Sequence, residues 1–150
     1  MSAVLVDVAV AVEKAIYKGV SGDPLVLRRN KLPGPELEEL DKLYVTVIVG
    51  SRSSERDTRS TKISHCTVMV VWQKRVGTDA EEGLERWMKF VGESVDRLEN
   101  EGLPDMPDAY WTATDEFPAF EAEHLVMGTF TSVVPFTFDV IEDIPAGPDA

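Results

Sequence analysis

Thiols are nearly absent from this chain: Cys66 is the only cysteine among 150 residues. One thiol excludes an intrachain disulfide and any thiolate zinc site drawn from a single chain. Basic charge is also scarce, with 15 Lys and Arg against 27 Asp and Glu and a net charge of −12. A groove that grips phosphate backbone needs clustered Lys and Arg, so this balance speaks against tight nucleic-acid binding. The acidity by itself does no more than favour solubility. No apolar run approaches the length needed to span a bilayer. The apolar N-terminal stretch, MSAVLVDVAVAVEKAIYKG, is interrupted by Asp7 and has no basic n-region. It reads as a packed helix rather than a signal peptide.

The usual marks of catalysis are missing as well. There is no Gly-rich phosphate loop after a strand, no G-x-S-x-G elbow and no paired-histidine zinc motif. His65 lies next to Cys66, but neighbours in a strand point to opposite faces, so the two cannot form a dyad with each other. His65 reads as a sheet or interface residue and Cys66 as a small core hydrophobe. Glu116, Glu121, Glu123 and His124 are the best ligand-like group. Carboxylates with an imidazole suit a divalent cation, yet the spacing matches no known site, and a solvated acidic loop is the simpler reading. No metal and no cofactor are expected.

What is present is a globular composition, 43% hydrophobic and 28% charged, enough for one domain over residues 1–150 to bury a core without a disulfide or a structural metal. From Ala3 to Lys18, Val4, Val8, Ala11, Ala15 and Ile16 recur at helical spacing, with Gly19 as the expected terminator. Pro24–Arg28 suits a short strand, and Asn30–Pro35 is turn material. Leu43–Val49 is β-branched and expected to stop at Gly50. Ile63–Gln73 is a second strand, with Cys66, Val68, Val70 and Trp72 on one face and Ile63, His65, Thr67, Met69 and Val71 on the other. Apolar residues on both faces predict a central strand covered on both sides.

A second helix opens on the capping box Thr78-Asp-Ala-Glu81. It carries the stripe Leu84, Trp87, Met88, Val91, Val95 and Leu98 and ends at Gly102. Trp72 and Trp87 are assigned to packing. Segment 103–120 is rich in proline and acid but holds Tyr110 and Trp111, so it should dock on the body. Glu121–Glu142 returns to strand character, and Pro135 should mark an edge, a bulge or a break between two strands. Residues 145–150 read as a flexible tail. The order predicts an α+β fold: a mostly antiparallel β-sheet flanked by two α-helices.

Between the two best strands lies Ser51–Ser60, with no core-forming side chain. From Arg52 to Lys62 there are four basic and two acidic residues, a net positive excursion in an acidic chain. The natural form is a long polar β-hairpin arm, residues 51–62. Arg52, Arg56 and Arg59 offer forked donors that suit phosphate. Glu55 and Asp57 interrupt them, however, and no aromatic interleaves to stack bases. A mixed arm fits an acidic protein neighbour better, and a second copy of this chain would supply one. The candidate subunit-interface residues are therefore Arg52, Glu55, Arg56, Asp57, Arg59 and Lys62.

The stretch Leu43 to Leu98, together with the helix before it and the β segment after it, resembles the small tail-terminator and tail-completion proteins of tailed phages. The likeness rests on LYVTVIVG, the polar arm SRSSERDTRSTK, the strand ending VVWQKRV, and the capped helix TDAEEGLERWMKFVGESVDRL. Segment 103–120 has no counterpart in that pattern. The resemblance implies a homo-oligomeric ring, typically a hexamer, that caps the tail tube and joins it to the neck or head. It implies tail tube protein and a neck or connector protein as partners, no catalysis, no cofactor and no membrane. DNA would pass through the lumen without specific binding. The location implied is the virion, after assembly in the host cytoplasm. A head–tail connector or a tail tube subunit is the alternative from the same particle. A small metal-dependent enzyme, or an interaction domain unrelated to phage, stands further off.

Overall fold

A computed structural model of the chain describes residues 4–19, 25–29, 43–75, 80–118, 120–126 and 129–144. Helix α1 spans Val4–Gly19 and α2 spans Ala80–Glu101; α3, Ala122–Val126, is a single short turn of helix. The strands are β1 (Leu25–Arg29), β2 (Leu43–Arg56), β3 (Thr61–Arg75), β4 (Ala109–Thr114) and β5 (Thr129–Asp143). They form one sheet in the order β1-β2-β3-β5-β4. Only β1–β2 is parallel; the other pairs are antiparallel. The fold is α+β, a mostly antiparallel sheet with two main helices.

Alternation assigns the core. Val45 and Val47 of β2, Cys66, Val68, Val70 and Trp72 of β3, and Phe130, Val134, Phe136, Phe138 and Val140 of β5 share one face. They pack against Val4, Val8, Val12 and Ile16 of α1 and against Trp87, Val91, Val95 and Leu98 of α2. Both helices therefore lie on the same face. Burying each of these side chains contributes about 1.5–3 kcal/mol relative to exposure. The second face of β3 departs from the expected two-sided cover. Val71 and Gln73 are buried at one end, while Ile63, His65, Thr67 and Met69 are half-exposed toward the other.

Several expected boundaries move. Gly19 is the last residue of α1, not the residue beyond it. Met88 does not belong to the buried stripe of α2, because it faces outward at 37% exposure. On the other flank of the stripe Ser94 is buried and donates its hydroxyl to the Phe90 carbonyl at 3.0 Å. Gly102 does end α2: its φ is 70°, and its N–H bonds the Leu98 carbonyl at 3.2 Å, the left-handed cap that glycine adopts without strain. Thr78 and the Glu81 side chain, the expected capping box, lie outside the described residues, as do the turn at 30–35 and the tail at 145–150.

Gly50 does not terminate β2. The register shifts between Val49 and Ser51, and the strand continues to Arg56. A Cβ at Gly50 would sit 2.5 Å from the Thr67 carbonyl oxygen, so the glycine admits a bulge that keeps the ladder going. Pro135 neither breaks nor edges its strand: β5 runs through it, opposite Met69. The Pro135 carbonyl accepts from Asp115 N–H at 3.1 Å, so its backbone polar groups face the β4 side. The β4 ladder ends there, at Thr114 opposite Phe136, and the absent N–H leaves the β3–β5 ladder intact.

Segment 103–120 does dock, in a form that its composition conceals. Leu103 is buried, and hydrogen bonds from Met106 and Ala109 to Leu103 and Met106 carbonyls shape two turns. Ala109–Thr114 then becomes the edge strand β4.

Candidate interaction surface

The arm is built from three strands rather than two. Ser51–Arg56 pairs with Lys62–Thr67, and Thr61–Thr67 pairs in turn with Thr137–Asp143. Every residue from Ser51 to Ser60 is exposed, so no apolar packing holds the tip. Short-range polar bonds hold it instead. Asp57 and Thr58 N–H both donate to the Thr61 carbonyl at 3.1 Å. The Thr58 hydroxyl oxygen accepts from Ser60 N–H at 3.3 Å and Thr61 N–H at 3.1 Å. This is how threonine and aspartate form local turns. Ile144 N–H ties the far end of β5 to the Ser60 carbonyl at 2.7 Å.

The six expected arm residues come together, but in different roles. On the helix side, Arg52 reaches across β3 to Glu142, Nη2 to Oε1 at 3.3 Å, and contacts the Ser64 hydroxyl at 3.4 Å. Buried Ser64 donates to the same Glu142 oxygen. On the other face, Glu55 Oε1 lies 3.5 Å from His65 Nε2. Both residues are thus engaged within the subunit. Arg56 donates to the Arg59 carbonyl at 3.0 Å, and Asp57 accepts from the Thr61 hydroxyl at 3.3 Å. Lys62 is half-buried opposite Glu142. Among the described residues, no carboxylate lies within ion-pair distance of Arg56, Arg59 or Lys62. The arm's uncompensated charge is therefore positive and concentrated at its tip.

His65, expected as a sheet or interface residue, belongs to this surface, and so do Asp139 and Glu142, which were not among the expected interface residues. His65 Nδ1 lies 2.6 Å from Asp139 Oδ1. That hydrogen bond raises the histidine above its ordinary value of 6.5, helped by the charges of Asp139 and Glu55 and opposed by desolvation. A carboxylate faces each ring nitrogen, an arrangement that favours the imidazolium. No ring nitrogen is aimed at a hydroxyl or thiol, as a general base requires. Cys66 lies on the opposite face with no exposure, and burial pushes its thiol up to about 11. A thiol so placed is not a nucleophile at neutral pH. The only sequence hint of the His65–Asp139 pair is the alternation of polar and apolar residues in β5, since the partners are 74 residues apart.

Glu116 follows β4, Glu121 precedes α3 with its N–H on the Thr131 carbonyl at 2.8 Å, and Glu123 lies in α3. Among the described residues no group of three or more His, Cys, Asp or Glu gathers as metal ligands do; the His124 side chain lies outside them. No described helix is long and apolar enough to cross a membrane.

The chain matches no model of a known protein family and no curated protein.

Proposed function

We propose that this chain is a structural subunit of a ring, of the kind that ends the tail tube of a phage and joins it to the neck. The observation that carries this reading is the arm: β2 and β3 continue past Gly50 into a hairpin whose residues Ser51–Ser60 are all exposed, and among the described residues no carboxylate lies within ion-pair distance of the tip cations. Although β5 supports the arm as a third strand, Ser51–Ser60 gains no apolar burial within the subunit. Gripping another subunit supplies a reason for the arm. The net charge of −12 ensures that any second copy presents an acidic surface to these cations. An acidic ring would also let DNA slide through without sticking. The inert thiol and the doubly engaged histidine favour an assembly role over catalysis.

Light scattering after size exclusion, with negative-stain imaging, tests the reading. The expected result is a closed ring that halts polymerisation of purified tail tube protein. Replacing residues 55–63 by Asn-Gly between the facing residues Ser54 and Ser64 shortens the arm and should give folded single subunits. A protein that stays monomeric at high concentration, or a ring that survives the shortening, refutes it.

A further inference from the structure

We infer that the arm tip of one copy docks into a cleft on the β4 side of the next, lined by Pro107, Asp108, Tyr110, Ile141 and Asp143. This deepens the ring reading above and rests on it. The cleft is open and holds about 480 Å³. Tyr110 and Ile141 form its apolar part, at 45% and 46% exposure, the highest among the large hydrophobic side chains of the described residues. Tyr110 pairs with Asp139, two residues from Ile141 in β5, so the two share a sheet face. Asp108 and Asp143 supply carboxylates, and among the described residues no basic residue lines the cleft. An apolar floor between carboxylates fits the alkyl stem and charged head of an arginine.

The occupant follows from charge and topology. Arg56 and Arg59 at the tip have no carboxylate within ion-pair distance among the described residues. In their own chain neither lies within ion-pair distance of Asp108 or Asp143, although the tip sits beside the end of β5, where Thr61 faces Asp143 and the Ser60 carbonyl accepts from Ile144 N–H. From Ser51 to Arg56 the outer side of β2 carries no strand among the described residues, since β1 reaches only to Val47. The cationic edge and the anionic cleft thus lie on opposite sides of one sheet end. A contact between unlike surfaces on opposite sides is heterologous and propagates head to tail, closing into a ring when the rotation permits.

Charge exchange tests this. Asp108→Lys with Asp143→Lys, and separately Arg56→Glu with Arg59→Glu, should each raise the concentration needed for assembly by about tenfold or more. Circular dichroism and the unfolding midpoint should stay at wild-type values, because all four positions are exposed. Combining all four changes in one chain, or mixing the two variants, should restore the ring. Tyr110→Ala with Ile141→Ala removes the apolar floor without altering charge and should weaken assembly too. If wild-type rings form and arm shortening dissociates them, but Asp108→Lys with Asp143→Lys assembles normally, the cleft is overturned and the ring reading stands. A quadruple variant that stays dissociated overturns the pairing. A wild-type chain that never assembles overturns both.

Discussion

The same substitution, glycine to alanine, should have opposite effects at two positions. At Gly50 the added Cβ would lie 2.5 Å from the Thr67 carbonyl oxygen and 3.2 Å from its carbon. Both atoms belong to the backbone of the central strand, so no side chain can swing away. Either β2 separates from β3 at the bulge or the bulge moves, and strain of this kind costs about 1–3 kcal/mol. At Gly92, on an exposed position of α2, nothing lies within 4 Å of the new methyl group. There alanine removes the conformational freedom that glycine gives the unfolded helix and should stabilise by about 1 kcal/mol. With a urea slope of about 2 kcal/mol/M, the midpoint should fall by about 0.5–1.5 M for Gly50→Ala and rise by about 0.5 M for Gly92→Ala. Amide exchange should localise the first effect, with protection lost between Ser51 and Thr67 before the body opens. A Gly50→Ala midpoint equal to wild type would refute the steric argument. Destabilisation by Gly92→Ala would refute the assignment of that site as open.

The other outcomes concern the core and its titrating groups. His65 is raised above 6.5 in the fold, so its stabilisation is complete below that pH and lost as pH rises through the folded value. The gap in urea midpoint between wild type and His65→Gln should therefore shrink from about pH 6 to about pH 9, and a gap that widened would contradict the pairing with Asp139. Phe136→Ala, at a fully buried position, should cost about 3–5 kcal/mol by calorimetry or denaturant titration; a loss below about 1 kcal/mol would misplace the core. Cys66 should resist a thiol reagent at neutral pH and react only in denaturant, and rapid native labelling would contradict its burial.

The sequence disclosed what depends on short-range pattern. Alternation in Ile63–Gln73 separated Cys66, Val68, Val70 and Trp72 from their neighbours, and the core takes that set. The polar run after Gly50 announced an arm because no residue in it can pack. What stayed hidden depends on register between distant segments. The arm's third strand comes from Thr137–Asp143, so neither Glu142 opposite Arg52 nor Asp139 beside His65 could be found from residues 51–62. Strand β4 was masked by its surroundings, since six residues between turns rich in proline and aspartate carry too little periodicity to read. Met88 fitted the helical stripe by spacing, but the surface that α2 presents is set by how it meets α1 and β5, and Met88 falls just outside it.

Pro135 gives the sheet a stop signal written in covalent chemistry. Its carbonyl is taken by Asp115 and its nitrogen has no hydrogen to offer, so a foreign strand lengthening the line of β4 would meet a position that cannot donate to it. Four residues earlier the Thr131 carbonyl is taken by Glu121 N–H at 2.8 Å, so the chain itself closes this stretch of β5 and leaves no open template there.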